Sequence, residues 1–129
     1  GRHYPVIFAA VPGEEHTLGV TLAAELFRRQ GWEVELLLAL SHDELVARIG
    51  ASETLLIALS GAGPRVSDAM ARLVAEIRED RPEAYLLVSG QIVRESPDAV
   101  RVMGVDAMAT DAIHAERKLR LLAKIAGPA

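Results

Sequence analysis

Cysteine is absent from this chain of 129 residues, aromatic residues and long apolar runs are scarce, and the 14 basic residues are outnumbered by 18 acidic ones. Without cysteine there can be no disulfide framework, thiolate metal site or cysteine nucleophile. The longest unbroken apolar runs reach five or six residues, whereas a membrane-spanning helix needs about 20. The five aromatic side chains are too few for a base-stacking platform, and a formal net charge of −4 disfavours binding to nucleic-acid phosphates. We therefore expect neither a nucleic-acid nor a membrane partner.

The remaining composition is that of one ordinary globular domain. Half of the residues are apolar and a quarter are charged, and this length is typical of a single domain. The chain starts at Gly1 rather than at a methionine and shows no secretory signal peptide. We therefore expect residues 1–129 to form one cytoplasmic domain that is excised from a larger parent protein.

Strand-like and helix-like segments alternate along the chain. Short apolar runs predict buried strands at 6–11, 34–40, 54–59, 84–88 and 105–109. Helical periodicity and capping signals predict helices at 17–30, 41–49, 67–79, 96–103 and 111–126. This order predicts an α/β fold of the flavodoxin-like (Rossmann-like) type. Its doubly wound, five-stranded parallel sheet has strand order 2-1-3-4-5, with helices on both faces.

The larger apolar side chains predict which face of each helix packs on the sheet. In the first helix these are Leu18, Leu22, Leu26 and Phe27, and in the last helix Ile113, Leu119, Leu122 and Ile125.

Ligands of such sheets bind outside the carboxyl ends of the strands, which here are followed by the loops 12–16, 60–64 and 89–91. A phospho-acceptor receiver needs acidic residues after strand one and an aspartate after strand three. This chain has Val11 and Pro12 at the first place and Ser60 at the second, which excludes that function. A flavodoxin is excluded as well, because the two glutamates of the first loop would repel the phosphate of its flavin cofactor.

The first loop contains a histidine with a neighbouring carboxylate. His16 can present a ring nitrogen to a metal, and Glu14 can accept a hydrogen bond from its other ring nitrogen. Gly19, one turn into the helix, leaves room for a bulky group. From these residues alone, a surface histidine beside two glutamates is more often simply solvated than a metal ligand.

Residues 13–19, with the sequence G-E-E-H-T-L-G, resemble the D-x-H-x-x-G motif of cobalamin-binding domains of the methionine synthase and methylmalonyl-CoA mutase kind. The family has an S-x-L motif after strand three and a G-G pair after strand four. Residues 59–62 (L-S-G-A) and 89–90 (S-G) stand at these places. Residues 104–112 are similar to the family's closing segment, so the resemblance covers about 5–115.

The resemblance implies a role for each matching residue. His16 would displace the dimethylbenzimidazole of cobalamin and become the lower axial ligand of cobalt, with Glu14 as its orienting partner. Ser60 would hydrogen-bond the benzimidazole. The other residues of the implied cofactor site are Thr17, Gly19, Gly61, Gly63, Ser89 and Gly90, of which Gly61, Gly63, Ser89 and Gly90 would give the nucleotide tail room. No catalytic residue is implied, so the resemblance indicates a binding module rather than an enzyme.

The sequence of the first loop, P-G-E-x-H-T-L-G followed by R-R-x-G-W, resembles that found in the regulatory branch of the family, the photosynthesis-gene regulators of purple bacteria. That branch implies a sensor of cobalamin or light that signals to a transcription regulator or to an adjacent helical domain of the parent protein. Three departures from the motifs, Glu14, Ala62 and Ser89, keep alternatives open. These are a haem sensor, a degenerate protein-interaction module and a corrinoid carrier of a methyltransferase or mutase.

Overall fold

A five-stranded parallel sheet with strand order β2-β1-β3-β4-β5 forms the centre of the molecule. The computed structural model describes residues 4–127, apart from the side chain of Pro64, so the ends of the predicted domain at 1–3 and 128–129 lie outside it. The strands are β1 (Pro5–Ala10), β2 (Glu33–Leu37), β3 (Leu56–Ser60), β4 (Tyr85–Ser89) and β5 (Ala107–Ala109). The predicted fold class and strand order are confirmed.

Six helices connect or follow the strands in the described residues. They are α1 (Leu18–Arg29), α2 (His42–Gly50), α3 (Ser67–Asp80), α4 (Gln91–Glu95), α5 (Pro97–Arg101) and α6 (Ala112–Ala126), with a single 3-10 turn at Pro64–Val66. A capping box of Ser41 and Glu44 begins α2, and the Asp111 side chain caps α6. The short helix α4 was not predicted, because five residues are too few to show a helical period.

Alternation along the strands divides the core into two layers. Ile7 and Ala9 of β1 pack with α2 and α3 on one face of the sheet. Val6 and Phe8 point the other way and pack with α1 and α6. This two-residue period gives each face its own apolar layer, and the candidate site lies on the α1–α6 side.

The helix faces that pack on the sheet include Phe27 and Leu119, as predicted, but otherwise differ from the predicted ones. In α1 the buried residues are Val20, Ala24 and Phe27, whereas Leu18 and Leu22 are 72% and 61% exposed. Helix α6 likewise buries Ala115, Leu119 and Ala123 and leaves Ile113 and Ile125 exposed. Positions 18 and 22 have the same spacing as 20 and 24, so the period alone could not choose between them. Alanine at the contact allows the helix backbone to approach the sheet closely.

The strand register gathers the three predicted ligand loops at one edge. Ala10 pairs with Ser60, Ser60 with Ser89, and Ser89 with Ala109, which forms a row across four strands. Each of these strands ends at or next to this row. Within residues 4–127, no helix is long and apolar enough to span a bilayer.

Candidate functional site

A groove of about 340 Å³ opens at the carboxyl edge of the sheet, between α1, α6 and the ends of β3 and β4. Its volume lies in the range of small-molecule sites, about 300–1,000 Å³. Six of the nine predicted site residues line it, namely His16, Gly19, Ser60, Gly61, Ser89 and Gly90. The other three, Glu14, Thr17 and Gly63, do not.

His16 lies at the mouth of the groove on an exposed loop. Its imidazole has no hydrogen-bond partner in the described part of the chain, and only its backbone N–H donates, to Glu14. No group of three or more histidine, aspartate or glutamate side chains in residues 4–127 could hold a metal ion. A lone, unengaged imidazole is suited to a metal that already carries its equatorial ligands, such as the metal of a tetrapyrrole.

Glu14 holds the loop by its backbone rather than by the histidine ring. Its Oε1 accepts a hydrogen bond from the backbone N–H of His16 at 2.8 Å, and its Oε2 accepts one from the backbone N–H of Ala62 at 2.6 Å. This corrects the predicted bond between the Glu14 carboxylate and the imidazole. The longer glutamate side chain bridges two loops that are 48 residues apart, and it positions His16 indirectly.

We expect Glu14→Gln to lower the free energy of unfolding by about 1–2 kcal/mol, because an amide has one acceptor oxygen for two backbone N–H groups. The matched control is Glu15→Gln, which removes the same charge from the neighbouring exposed residue. It should change stability by less than about 0.5 kcal/mol. Urea denaturation measures both, and equal midpoints for the two variants would contradict the bridging role.

Ser60 and Ser89 present free hydroxyl groups to the groove. Their backbone carbonyls are used within the fold, since Ser60 accepts from Val11 N–H at 3.1 Å and Ser89 from Gly61 N–H at 3.2 Å. Neither hydroxyl has a hydrogen-bond partner among residues 4–127. Both side chains line the groove and remain available to a ligand.

Three of the predicted glycines also have close protein contacts at the place where a Cβ would be. A Cβ on Gly90 would lie 2.5 Å from the carbonyl oxygen of Gly61, and a Cβ on Gly61 would lie 3.0 Å from Met70 and Val66, on the α3 side of the sheet. A Cβ on Gly63 would lie 2.8 Å from the Glu95 carboxylate, and Gly63 does not line the groove. Gly61 and Gly90 therefore line the groove and also allow close packing within the protein, and the role of the three glycines in giving a nucleotide tail room stays a prediction.

Gly19 is the predicted glycine whose missing side chain does open the groove. It lies in the first turn of α1, lines the groove, and has no atom within 4 Å of an added Cβ. Its neighbour Thr17 stands at the N-cap of α1 without a side-chain capping bond, and its carbonyl accepts from Thr21. Space for a bulky group against α1 is therefore present where the sequence predicted it.

Two charged groove residues were missed by the sequence analysis. Arg94 of α4 donates from Nη1 to the carbonyl oxygen of Thr110 at 2.9 Å. Asp111 accepts from the backbone N–H and the ring Nδ1 of His114, and these bonds hold the pKa of its carboxyl below the usual value. The helix-cap signal at Asp111 marked a helix start but not a groove residue, and Arg94 lies on a helix too short to predict.

Size alone does not distinguish this groove from a second cavity. A cavity of about 330 Å³ lies at the opposite, amino-terminal edge of the sheet, where it is lined by Tyr4, Leu56 and Ala123 among others. Its described lining contains no histidine or arginine. The unengaged imidazole of His16 and the guanidinium of Arg94 distinguish the first groove as the candidate ligand site.

A model of the B12 binding domain family matches residues 4–120. The chain belongs to this family. Cobalamin is accordingly the cofactor of this B12-binding domain, as the sequence predicted. A module of this kind binds its cofactor and does not by itself carry out a reaction. A search of curated protein sequences gives no match.

Solved structures support the same fold. A cobalamin-binding protein from Desulfitobacterium hafniense has a TM-score of 0.82 and 18% identity over 93% of this chain and 59% of its own. A monomethylamine corrinoid protein from Methanosarcina barkeri has a TM-score of 0.79 and 17% identity over 92% of this chain and 57% of its own. The B12-binding domain thus spans under three-fifths of the length of these two proteins.

A response regulator from Desulfuromonas acetoxidans also shares the fold, with a TM-score of 0.69 and 11% identity over 95% of this chain and 98% of its own. At such low identity the likeness concerns the fold alone. At the carboxyl edge, where a receiver needs acidic residues after strands one and three, the B12-binding domain has Val11, Pro12 and Ser60.

Proposed function

We propose that this domain binds cobalamin with the His16 imidazole as the lower axial ligand of cobalt and the nucleotide tail in the groove. One observation carries the proposal: an imidazole without a protein partner stands at the mouth of a groove of about 340 Å³. Cobalamin supplies a cobalt ion that already has four equatorial nitrogen ligands. Since His16 would supply the fifth, the benzimidazole would be released from the cobalt and free to enter the groove.

The lining of the groove suits a flat base linked to a sugar. Phe8 and Ala115 belong to the apolar layer below it, and the hydroxyls of Ser60 and Ser89 can hydrogen-bond polar atoms of the tail. Gly19 keeps the α1 wall free of a side chain. These residues fit an elongated group that carries both apolar and polar atoms.

Cobalamin suits this site better than haem does. Haem has no nucleotide tail, so the groove would stay unfilled. Haem also carries two propionates, whereas the loop of His16 contains Glu14 and Glu15 and the groove lining contains a single arginine. Like charges that approach within a few ångströms repel one another. The corrin ring instead carries neutral amides at its edge.

We further infer that the domain acts as a sensory module of a larger protein, whose cofactor state is read by an adjacent helical domain or a transcription regulator. The resemblance of the His16 loop to regulatory proteins supports this role. A surface for a partner is available on α1, where the exposed Leu18 and Leu22 lie on either side of Gly19 in the sequence. Exposed apolar side chains next to a ligand site are typical of interaction surfaces.

The test is a visible-absorption titration of the purified domain with hydroxocobalamin and with haemin, repeated on Gly19→Leu. We expect a histidine-ligated, base-off cobalamin spectrum for the unchanged domain and none for Gly19→Leu, because the leucine fills the groove. Helix α1 tolerates the change, since glycine inside a helix costs about 0.5–1 kcal/mol. The control, Gly50→Leu on α2, should bind like the unchanged domain.

Two results would contradict the proposal. A Soret shift with haemin without any cobalamin spectrum would identify a haem sensor, and no spectral change with either would identify a degenerate interaction module. For the sensory role, hydrogen exchange of the α1 amides should slow when hydroxocobalamin binds. Unchanged hydrogen exchange across residues 14–22 would show that α1 does not transmit the state of the cofactor to a partner.

A further inference from the structure

Arg94 is the one lysine or arginine in the described lining of the groove. Its guanidinium donates from Nη1 to the carbonyl oxygen of Thr110, just beyond β5, at 2.9 Å. It forms no ion pair with a described residue. Because a guanidinium has five N–H donors, several remain for a ligand.

The carboxylates of Asp111, Glu95 and Glu14, in the groove lining or in the segments around it, are engaged with other groups. Both oxygens of Asp111 accept hydrogen bonds from His114 at the start of α6. Glu95, next to Arg94 on α4, accepts from Gln91 Nε2 at 2.5 Å and does not line the groove. Glu14 is bonded to two backbone amides. The positive charge of Arg94 therefore has no counter-ion among residues 4–127.

The nucleotide tail of cobalamin carries one anion, the phosphodiester that joins the corrin side chain to the ribose. A phosphodiester has a single negative charge at neutral pH, and an anion that leaves water for a groove needs a charged or hydrogen-bonded partner. Arginine is well suited to this task, because its planar fork can donate two parallel bonds to one phosphate.

We propose that Arg94 binds this phosphodiester and so selects corrinoids with a complete nucleotide tail over those without one. This inference rests on the proposed function of the groove. The bond from Arg94 to Thr110 fixes the guanidinium to the end of β5. His16 would hold the corrin end of the ligand, Ser60 would contact the base, and Arg94 would hold the charged linker between them.

The experiment measures dissociation constants by absorption for hydroxocobalamin and for cobinamide, a corrinoid without phosphate, ribose or base. We expect Arg94→Gln to weaken cobalamin binding by about tenfold, as loss of a charged hydrogen bond does, and to change cobinamide binding by less than about twofold. Arg94→Lys should recover part of the loss. The control is Arg72→Gln, which removes an exposed arginine from α3 on the other face of the sheet.

Each outcome of this experiment supports or contradicts the binding of the phosphodiester by Arg94. Equal cobalamin affinity in Arg94→Gln and the unchanged domain would overturn the inference and leave the proposed function intact. Equal losses for cobalamin and cobinamide would also overturn it, since they would indicate a structural role. Absence of cobalamin binding by the unchanged domain would overturn the proposed function itself, and the inference with it. Salt should weaken cobalamin binding to the unchanged domain more than to Arg94→Gln.

Discussion

His16→Ala is expected to abolish the histidine-ligated cobalamin spectrum and to weaken cobalamin binding by about 100-fold or more. Even loss of a residue that only orients a metal-bound histidine costs about 10- to 100-fold in affinity. Removal of the ligand itself should cost at least as much. The variant should fold normally, since His16 is exposed and its imidazole makes no bond with residues 4–127. The measurement is an absorption titration with hydroxocobalamin, together with a thermal melt.

The control for this variant is His42→Ala, which removes a histidine from the start of α2 on the opposite face of the sheet. It should leave the cobalamin spectrum unchanged. If His16→Ala still gave a base-off, histidine-ligated spectrum, another histidine would be the ligand and the assignment of His16 would be wrong. If it gave a base-on spectrum at unchanged affinity, the ligand would bind without use of the groove.

Gly90→Ala should cost about 3 kcal/mol or more of the free energy of unfolding, the largest loss of stability that we expect from one methyl group. Gly90 has φ 103° and ψ −174°, a conformation that essentially glycine alone adopts. The added Cβ would also lie 2.5 Å from the carbonyl oxygen of Gly61. That oxygen accepts a hydrogen bond from Ile92 and has little freedom to move. The melting temperature should fall by about 10 °C.

Gly104→Ala separates the two contributions to this loss. Gly104 also has a positive φ, of 77°, but no atom lies within 4 Å of an added Cβ. Its variant should lose only about 1–2 kcal/mol, the cost of a left-handed backbone at a residue with a side chain. Equal losses for the two variants in urea denaturation would show that the contact between Gly90 and Gly61 does not constrain the fold.

Local signals in the sequence determined the fold class and part of the site. The apolar run of β1, the capping box at Ser41 and the alternation of strands with helices depend on neighbouring residues, so the sequence shows them directly. The carboxyl-edge rule for parallel sheets then placed His16, Ser60 and Ser89 at one edge, and the structure brings all three to one groove.

Contacts between distant segments were decided by the tertiary structure. The period of α1 allowed two helix faces, and close packing against the sheet selected the one with Val20 and Ala24 over the one with Leu18 and Leu22. The bond of Glu14 to Ala62 joins residues far apart in the chain. The approach of Gly90 to Gly61 and the position of Arg94 also depend on how β3, β4 and α4 meet. Such contacts have no period along the chain, so only the folded molecule shows them.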